Sequence, residues 1–372
     1  MKKILIALLV LMGLASCVEK EITVTVKNTA DFKRSHETVE IPWSELQKIN
    51  PAVAEDVVVT DENGSEIPSQ LIYKGSNLPQ SLIFQVTVDK HADKTYKIVK
   101  GKATVYESKV FGRLIPERKD DFAWENDKII YRIYGPALEA TGEISNGIDV
   151  WMKSTSELVI DRWYQANDYH VDHGEGMDAY KVGRTLGGGA MAPYWNGELV
   201  LGNNFISHEI IEKGPVRFSF KLTYAPYKVG EKMVIETRLF SIDAGSRLTK
   251  VESTFADAPA GMQVAAGIVL REGGEQMTDL SKGIAAYWEP QNNDNNVNNG
   301  HIAVGVIIPE GITGISEQEG HLLAIADYNS KPIVYYIASG WSKAGIDNAA
   351  AWFEIMNSEA TMLSNPLKVM VK

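Results

Sequence analysis

Residues 217–224 read Arg217-Phe218-Ser219-Phe220-Lys221-Leu222-Thr223-Tyr224, polar and apolar in strict turn. Side chains alternate across a strand, so this pattern sends Phe218, Phe220, Leu222 and Tyr224 to one face. That is what an antiparallel sheet with one covered face requires. Working outward, Lys232–Phe240 and Leu248–Phe255 read as further strands, as do Lys128–Tyr134, Glu157–Trp163, Ile302–Ile308, Leu322–Tyr328 and Pro332–Ser339. Toward the N-terminus the same signal recurs in residues 21–26, in Val57–Thr60 before the turn Asp61-Glu62-Asn63-Gly64, and in Leu82–Val88. Strands punctuated by Gly, Pro, Asn and Asp indicate stacked sheets. Helical signals are confined to a short start at Pro42-Trp43-Ser44 and to Asp347–Met356. No short internal repeat is visible. The fold expected is all-β: a small N-terminal β-sandwich over residues 18–105, then a large antiparallel supersandwich over 106–372.

The first 17 residues are a different kind of segment. Lys2 and Lys3 precede an apolar run from Ile4 to Leu14, followed by Leu14-Ala15-Ser16-Cys17. A basic start, a short apolar core and small residues describe a secretory leader, and the run is short for a membrane span. Leu-Ala-Ser-Cys resembles a lipoprotein box, with Cys17 as the lipidated residue after cleavage. Cys17 is the chain's one cysteine, so no disulfide can form within it. The expectation is an exported protein tethered to a membrane by lipid at Cys17. The 372-residue chain carries a formal net charge of −11, which argues against nucleic acid, whose binding depends on Lys and Arg.

Chemistry concentrates in residues 167–189, which include Tyr169-His170-Val171-Asp172-His173-Gly174-Glu175 and then Asp178, Tyr180, Lys181 and Arg184. Glycine-rich loops on a strand scaffold are where binding and catalysis gather. Gly187–Gly189 match no phosphate-binding motif, so no nucleotide is expected; they let the backbone turn beside the site. His170, Asp172, His173 and Glu175 could wrap a divalent ion, although their spacing fits no helical zinc motif, and no cofactor is otherwise expected. The asparagine-rich stretch Gln291–Gly300 reads as a mobile surface loop; Asp294 is its one charge toward a calcium ion.

Further stretches carry a family resemblance. The run Arg118–Asp127, the segment Tyr131–Leu138, Gly147-Ile148-Asp149-Val150-Trp151 and Tyr169–Gly176 resemble the exported bacterial family catalogued as domain of unknown function 4861. The resemblance covers nearly the whole chain after the leader and implies a protein of polysaccharide utilisation. The second unit is similar to the galactose-mutarotase-like supersandwich, a fold shared by mutarotases, polysaccharide lyases and glycosidase domains, which does not fix function.

Three reactions fit the residues. β-Elimination at a uronic acid would use Arg118, Arg132, Lys181 or Arg184 to neutralise the carboxylate. His170 or His173 would be the base and Tyr169 or Tyr180 the acid. Hydrolysis would draw two carboxylates from Asp121, Glu125, Asp172, Glu175 and Asp178. Epimerisation would pair a histidine with Glu175 or Asp172. Trp124 and Trp195, set among polar residues, are the tryptophans expected to stack on sugar rings. The leading expectation is a lyase or related acid–base enzyme on uronate-containing oligosaccharides. Its catalytic group is His170, His173, Tyr169, Lys181 and Glu175. Arg118, Asp121, Trp124, Arg132, Asp172, Asp178, Arg184 and Trp195 hold the substrate. A non-catalytic glycan-binding lipoprotein, a mutarotase or epimerase, and a glycoside hydrolase are the alternatives.

Overall fold

In a computed structural model, residues 21–292 and 298–372 are described; Cys17 and Asp294 lie outside them. Two sheets form the small sandwich. One runs in the order Lys368–Val371, Ile22–Lys27, Asp93–Lys100, Val57–Thr60, Glu66–Ile67; the other is Arg34–Pro42, Ser81–Val88, Ser69–Ile72. Alternating residues Val24, Val26, Ile41, Leu82, Phe84 and Ile98 fill the space between them. The C-terminal strand thus belongs with the N-terminal one, Val24 opposite Val371 and Val26 opposite Val369.

The larger unit stacks a nine-stranded antiparallel sheet against two five-stranded sheets. Its decisive strand, Arg217–Tyr224, lies between Phe205–Lys213 and Lys232–Asp243. Phe218, Phe220, Leu222 and Tyr224 are buried, as the alternation requires. They meet Phe122 and Trp124 of the opposing layer in one continuous core. Phe220 stacks on Phe122 at 4.1 Å and on Phe240 at 4.8 Å. One five-stranded sheet comprises Val110–Ile115, Asp121–Asn126, Ile130–Ile133, Ile148–Lys153 and Gly176–Met177. The other is built on Gly188–Trp195, Gln263–Val269 and His321–Asp327. The expected all-β architecture, a small sandwich followed by a large supersandwich, is the one observed.

Gly187 shows why the triple glycine stands where the two smaller sheets meet. Its φ is +61°, and an added Cβ would lie 2.2 Å from the Ile148 carbonyl oxygen. Ile148 and Gly187 form a parallel bridge there. A side chain would meet both the strained backbone and its neighbour.

Two local expectations are corrected. Residues 157–163 are not a strand: Ile160–Ala166 is a helix. The buried Glu125 carboxylate accepts from the main-chain N–H groups of Val159 and Ile160, both at 2.7 Å. Those orphan donors at a helix start need an acceptor, and a residue remote in sequence supplies it, overriding the strand propensity of Leu158-Val159-Ile160. The asparagine-rich stretch is not simply a loop. Its flanks extend the hairpin strands Ile284–Asn292 and Asn298–Ile307, with Asn292 opposite Asn298. The two expected helices are present as Trp43–Ile49 and Ala349–Ser364, the latter capped by the Asn348 side chain on Ala351 N–H at 2.9 Å.

Candidate functional site

Arg132 occupies the middle of strand Ile130–Ile133, opposite Ala123 on one side and Asp149 on the other. That register sets its guanidinium among carboxyl groups: Nη2 is 2.5 Å from Asp149 Oδ2 and 2.8 Å from Asp178 Oδ2, and Nε is 3.7 Å from Asp121 Oδ2. All four residues are buried. Arg118 approaches Asp121 from the edge at 3.8 Å. Aromatic rings close the remainder, with Tyr134 and Trp151 each 5.2 Å from the guanidinium carbon and Tyr169 at 6.0 Å. Three carboxyls around one buried cation cannot all stay ionised without heavy electrostatic cost. Burial accordingly pushes Asp121 up to about 7, against the pull of Arg132 and Arg118. Asp178 is raised by burial and then by the charge of Asp149. Burial disfavours the charge of Arg132, but Asp149 and Asp178 more than offset this and hold its pKa high. Arg132 Nη1, Asp149 Oδ1 and the Tyr164 hydroxyl are buried without a protein hydrogen-bond partner.

The loop 167–189 forms the rim of this cluster. Asn167, in the left-handed conformation, ends the helix Ile160–Ala166 and turns the chain back. Tyr169 then stacks flat on Trp151, centroids 5.1 Å apart, and its carbonyl accepts from Asp178 N–H at 2.7 Å. His170 stands above, its side chain 65% exposed, with Nδ1 3.0 Å from the Asp178 carbonyl oxygen and 3.5 Å from Asp178 Oδ2. A carbonyl only accepts, so Nδ1 is the donor. The neutral ring then carries its lone pair on Nε2. An outward base over a buried, part-protonated carboxyl cluster is the arrangement able to move a proton on a bound molecule.

Other expected residues are placed elsewhere. His173 Nε2 contacts Asp168 at 3.0 Å on the exposed side of the loop. Glu175 is held in a two-pronged surface pair by Arg162, at 2.5 and 3.2 Å. Asp172 caps the turn, accepting from Gly174 N–H at 2.8 Å, and faces Lys343 at 3.4 Å. These partners differ for each residue, and among the described residues no three His, Cys, Asp or Glu side chains gather as a metal group. His170, Asp172, His173 and Glu175 thus hold separate partners and are not gathered around one point. Lys181 is exposed, and its carbonyl accepts from Arg271. Arg184 donates to the carbonyls of Gly202 at 2.6 Å and Leu201 at 3.0 Å, pinning that loop. Trp195 packs beside Gly230. Trp124 is a further correction: it has no exposed surface, donates to Thr249 Oγ1 at 3.2 Å, and packs on Tyr131, Phe220 and Phe240. It is core and cannot stack on a ligand.

Sequence reasoning missed Asp149, Glu289, Arg271 and the lysine partner of Glu125. Arg271 lies over the Tyr180 ring at 4.4 Å and pairs with buried Glu289 at 2.5 Å, fastening the loop to the large sheet. Burial pushes Glu289 up to about 7 despite Arg271. Lys153 Nζ reaches Glu125 at 2.7 Å. The available signal was a lone acid inside an apolar strand, as in Gly147-Ile148-Asp149-Val150-Trp151 and Ala286-Tyr287-Trp288-Glu289.

The chain belongs to the family described as domain of unknown function 4861 (DUF4861), which matches residues 26–369. It is 30% identical over 378 residues to an uncharacterised protein of Formosa agariphila, covering 94% of this chain and 93% of that one. Two solved structures from Enterococcus faecalis share the fold. One is described as an alpha-mannosidase, with TM-score 0.55, 10% identity and 95% of this chain covered. The other is described as a protein in glycosyl hydrolase family 38, with TM-score 0.55, 11% identity and the same coverage. The chain spans about half the length of each, 46% and 48% respectively.

Proposed function

We propose that the protein is a carbohydrate-active enzyme that cleaves uronate-containing oligosaccharides by β-elimination, with His170 as base. The observation that carries this is the Nδ1 contact of His170 with the Asp178 carbonyl, which leaves Nε2 as an exposed base over the Arg132 cluster. His170 Nε2 takes the C5 proton of the uronate, the electron pair forms the C4=C5 double bond, and the C4–O bond breaks. The resulting imidazolium returns a proton to the leaving oxygen, so one group serves both steps. Lys181, exposed on the same loop, faces the substrate carboxylate, while Arg132 is committed to its three aspartates. Hydrolysis is less well supported. It needs two carboxyls flanking the bond; Asp121, Glu125 and Asp178 lie beneath the surface, Asp172 is turned onto the Gly174 N–H and Glu175 is held by Arg162. The names of the two Enterococcus structures support carbohydrate chemistry by analogy of fold.

The test is incubation with a panel of uronate-bearing oligosaccharides, followed by ultraviolet absorbance of the unsaturated product. A rise that His170→Ala abolishes is expected. New reducing ends without absorbance would make the protein a hydrolase. Unchanged mass with altered stereochemistry would make it an epimerase, and binding without product a glycan-presenting lipoprotein. Export and lipid attachment at Cys17 complete the proposal, on the strength of the leader sequence. Cys17→Ser should move the protein from the membrane pellet to the soluble fraction.

A further inference from the structure

His321 is the one buried histidine among the chain's seven, and both of its ring nitrogens are committed. The Leu186 N–H donates to Nε2 at 3.0 Å, and Nδ1 lies 2.9 Å from the Glu319 carbonyl oxygen. A main-chain N–H only donates and a carbonyl only accepts, so the roles are fixed. Nδ1 carries the hydrogen and Nε2 the lone pair. The bond to Leu186 exists only while the ring is neutral.

That bond crosses a seam. His321 opens strand His321–Asp327 in one five-stranded sheet, while Leu186 lies near the end of the loop 167–189. The Leu186 carbonyl accepts from Ile148 N–H at 3.2 Å in the other five-stranded sheet. Gly187 bridges Ile148 and accepts from Val269 N–H at 2.9 Å. The foot of the loop is thus stitched between two sheets. Most stitches are main-chain bonds, which do not titrate; one is an imidazole, which does. Val269 and Gln318, opposite His321 on the neighbouring strands, are uncharged. The charged groups on the surrounding elements are turned elsewhere. Glu317 bonds Gln276, Arg271 pairs with Glu289, Arg184 holds the carbonyls of Leu201 and Gly202, and Lys181 and Glu272 are exposed. Burial disfavours a charge on His321; the carbonyl and carboxylate of Glu319 oppose this, and burial outweighs them, holding the ring below its ordinary 6.5.

We propose that His321 is an acid-sensitive latch: a proton on Nε2 turns it from acceptor into donor, breaks the bond to Leu186 and frees the foot of the loop that carries His170. Two donors then face each other, the ring must turn away, and the Leu186 N–H is left buried without an acceptor. Because the folded state disfavours this proton, the latch is closed above about pH 6.5 and opens as pH falls below it. Its consequence for turnover rests on the proposed role of His170; the latch itself does not.

The experiment is amide hydrogen exchange on the whole protein at pH 8 and pH 5, expressed as protection factors so that intrinsic rates cancel. Protection at Leu186 should fall by about tenfold or more at pH 5, while Arg217–Tyr224 keeps its protection. In His321→Gln the side-chain amide offers Leu186 an acceptor with no proton to gain, so protection there should not change with pH. Nitrogen NMR of the unaltered ring checks the starting point independently and should place the hydrogen on Nδ1 at pH 8. Equal protection of Leu186 at both pH values would overturn the latch. So would an equal fall in His321→Gln, or a hydrogen on Nε2 at pH 8. His170→Ala should abolish turnover and keep the pH-dependent protection, so a failure of the catalytic reading and a failure of the latch are told apart.

Discussion

The two sandwiches are built from the same alternating strands but treat charge in opposite ways. Among the described residues the small one fully buries a single charge, Arg34, which it spends on main-chain carbonyls and on Glu37 at its edge. The large one buries Arg132 with Asp121, Asp149 and Asp178, Lys153 with Glu125, and Arg238 with Glu236. Exchanging a buried ion pair for apolar packing is often neutral or stabilising, so such clusters are weak evidence for stability as a purpose. The concentration of them in the unit that carries the exposed histidine is why the proposed chemistry is assigned there and not to the small sandwich.

The comparison can be broken most directly at its two arginines. Arg132→Met would strand three carboxyls and should cost about 3–5 kcal/mol in urea denaturation. Arg34→Met should cost less, about 1–3 kcal/mol, because its partners are mostly neutral carbonyls. Equal losses would remove the distinction. Lys153→Met comes next, at about 3 kcal/mol, since it leaves Glu125 buried and unpaired. Hydrogen exchange should then speed selectively in Ile160–Ala166, whose first N–H groups Glu125 holds.

A pH titration of the melting temperature sharpens the contrast. Asp121 and Glu289 of the large unit are raised to about 7, above unfolded values near 4. The folded state holds these protons more tightly, so the stability they contribute is complete below about pH 4 and lost as pH climbs through 7. Glu40 of the small sandwich behaves oppositely. Burial alone would raise it, but Arg217 outweighs this and lowers it to about 2. Its contribution is present above about pH 4.5 and lost as pH falls toward 2. The melting temperature should therefore fall by several degrees from pH 5 to pH 8, and Asp121→Asn should flatten that limb. The smallest effect belongs to the outer face of the loop. Arg162→Ala or His173→Ala should cost under about 1 kcal/mol, because exposed pairs contribute little. Either should also leave turnover within about twofold; a complete loss would return His173 to the catalytic group.

Strand alternation made the architecture legible, because a half-covered sheet writes its period directly into sequence. His170, Asp121, Arg132 and Asp178 were also legible, as reactive residues within quoted motifs. Trp124 misled because the polar residues beside it in sequence, Asp121 and Glu125, are themselves buried. Residues 157–163 misled because the group that starts their helix, Glu125, is more than thirty positions away. Asp149 stands in a quoted family stretch without a site role, since its place depends on cross-strand register with Arg132, which no local pattern encodes.

The pairing of Lys368–Val371 with Ile22–Lys27 has a consequence for the order of assembly. Thr23 and Lys372 exchange main-chain hydrogen bonds at 2.9 Å, closing a loop nearly as long as the chain. The sheet begun by Ile22–Lys27 is completed only once Lys368–Val371 has been made. Contacts of such sequence separation form slowly. Until they do, strand Ile22–Lys27 presents an open edge to which another chain can pair.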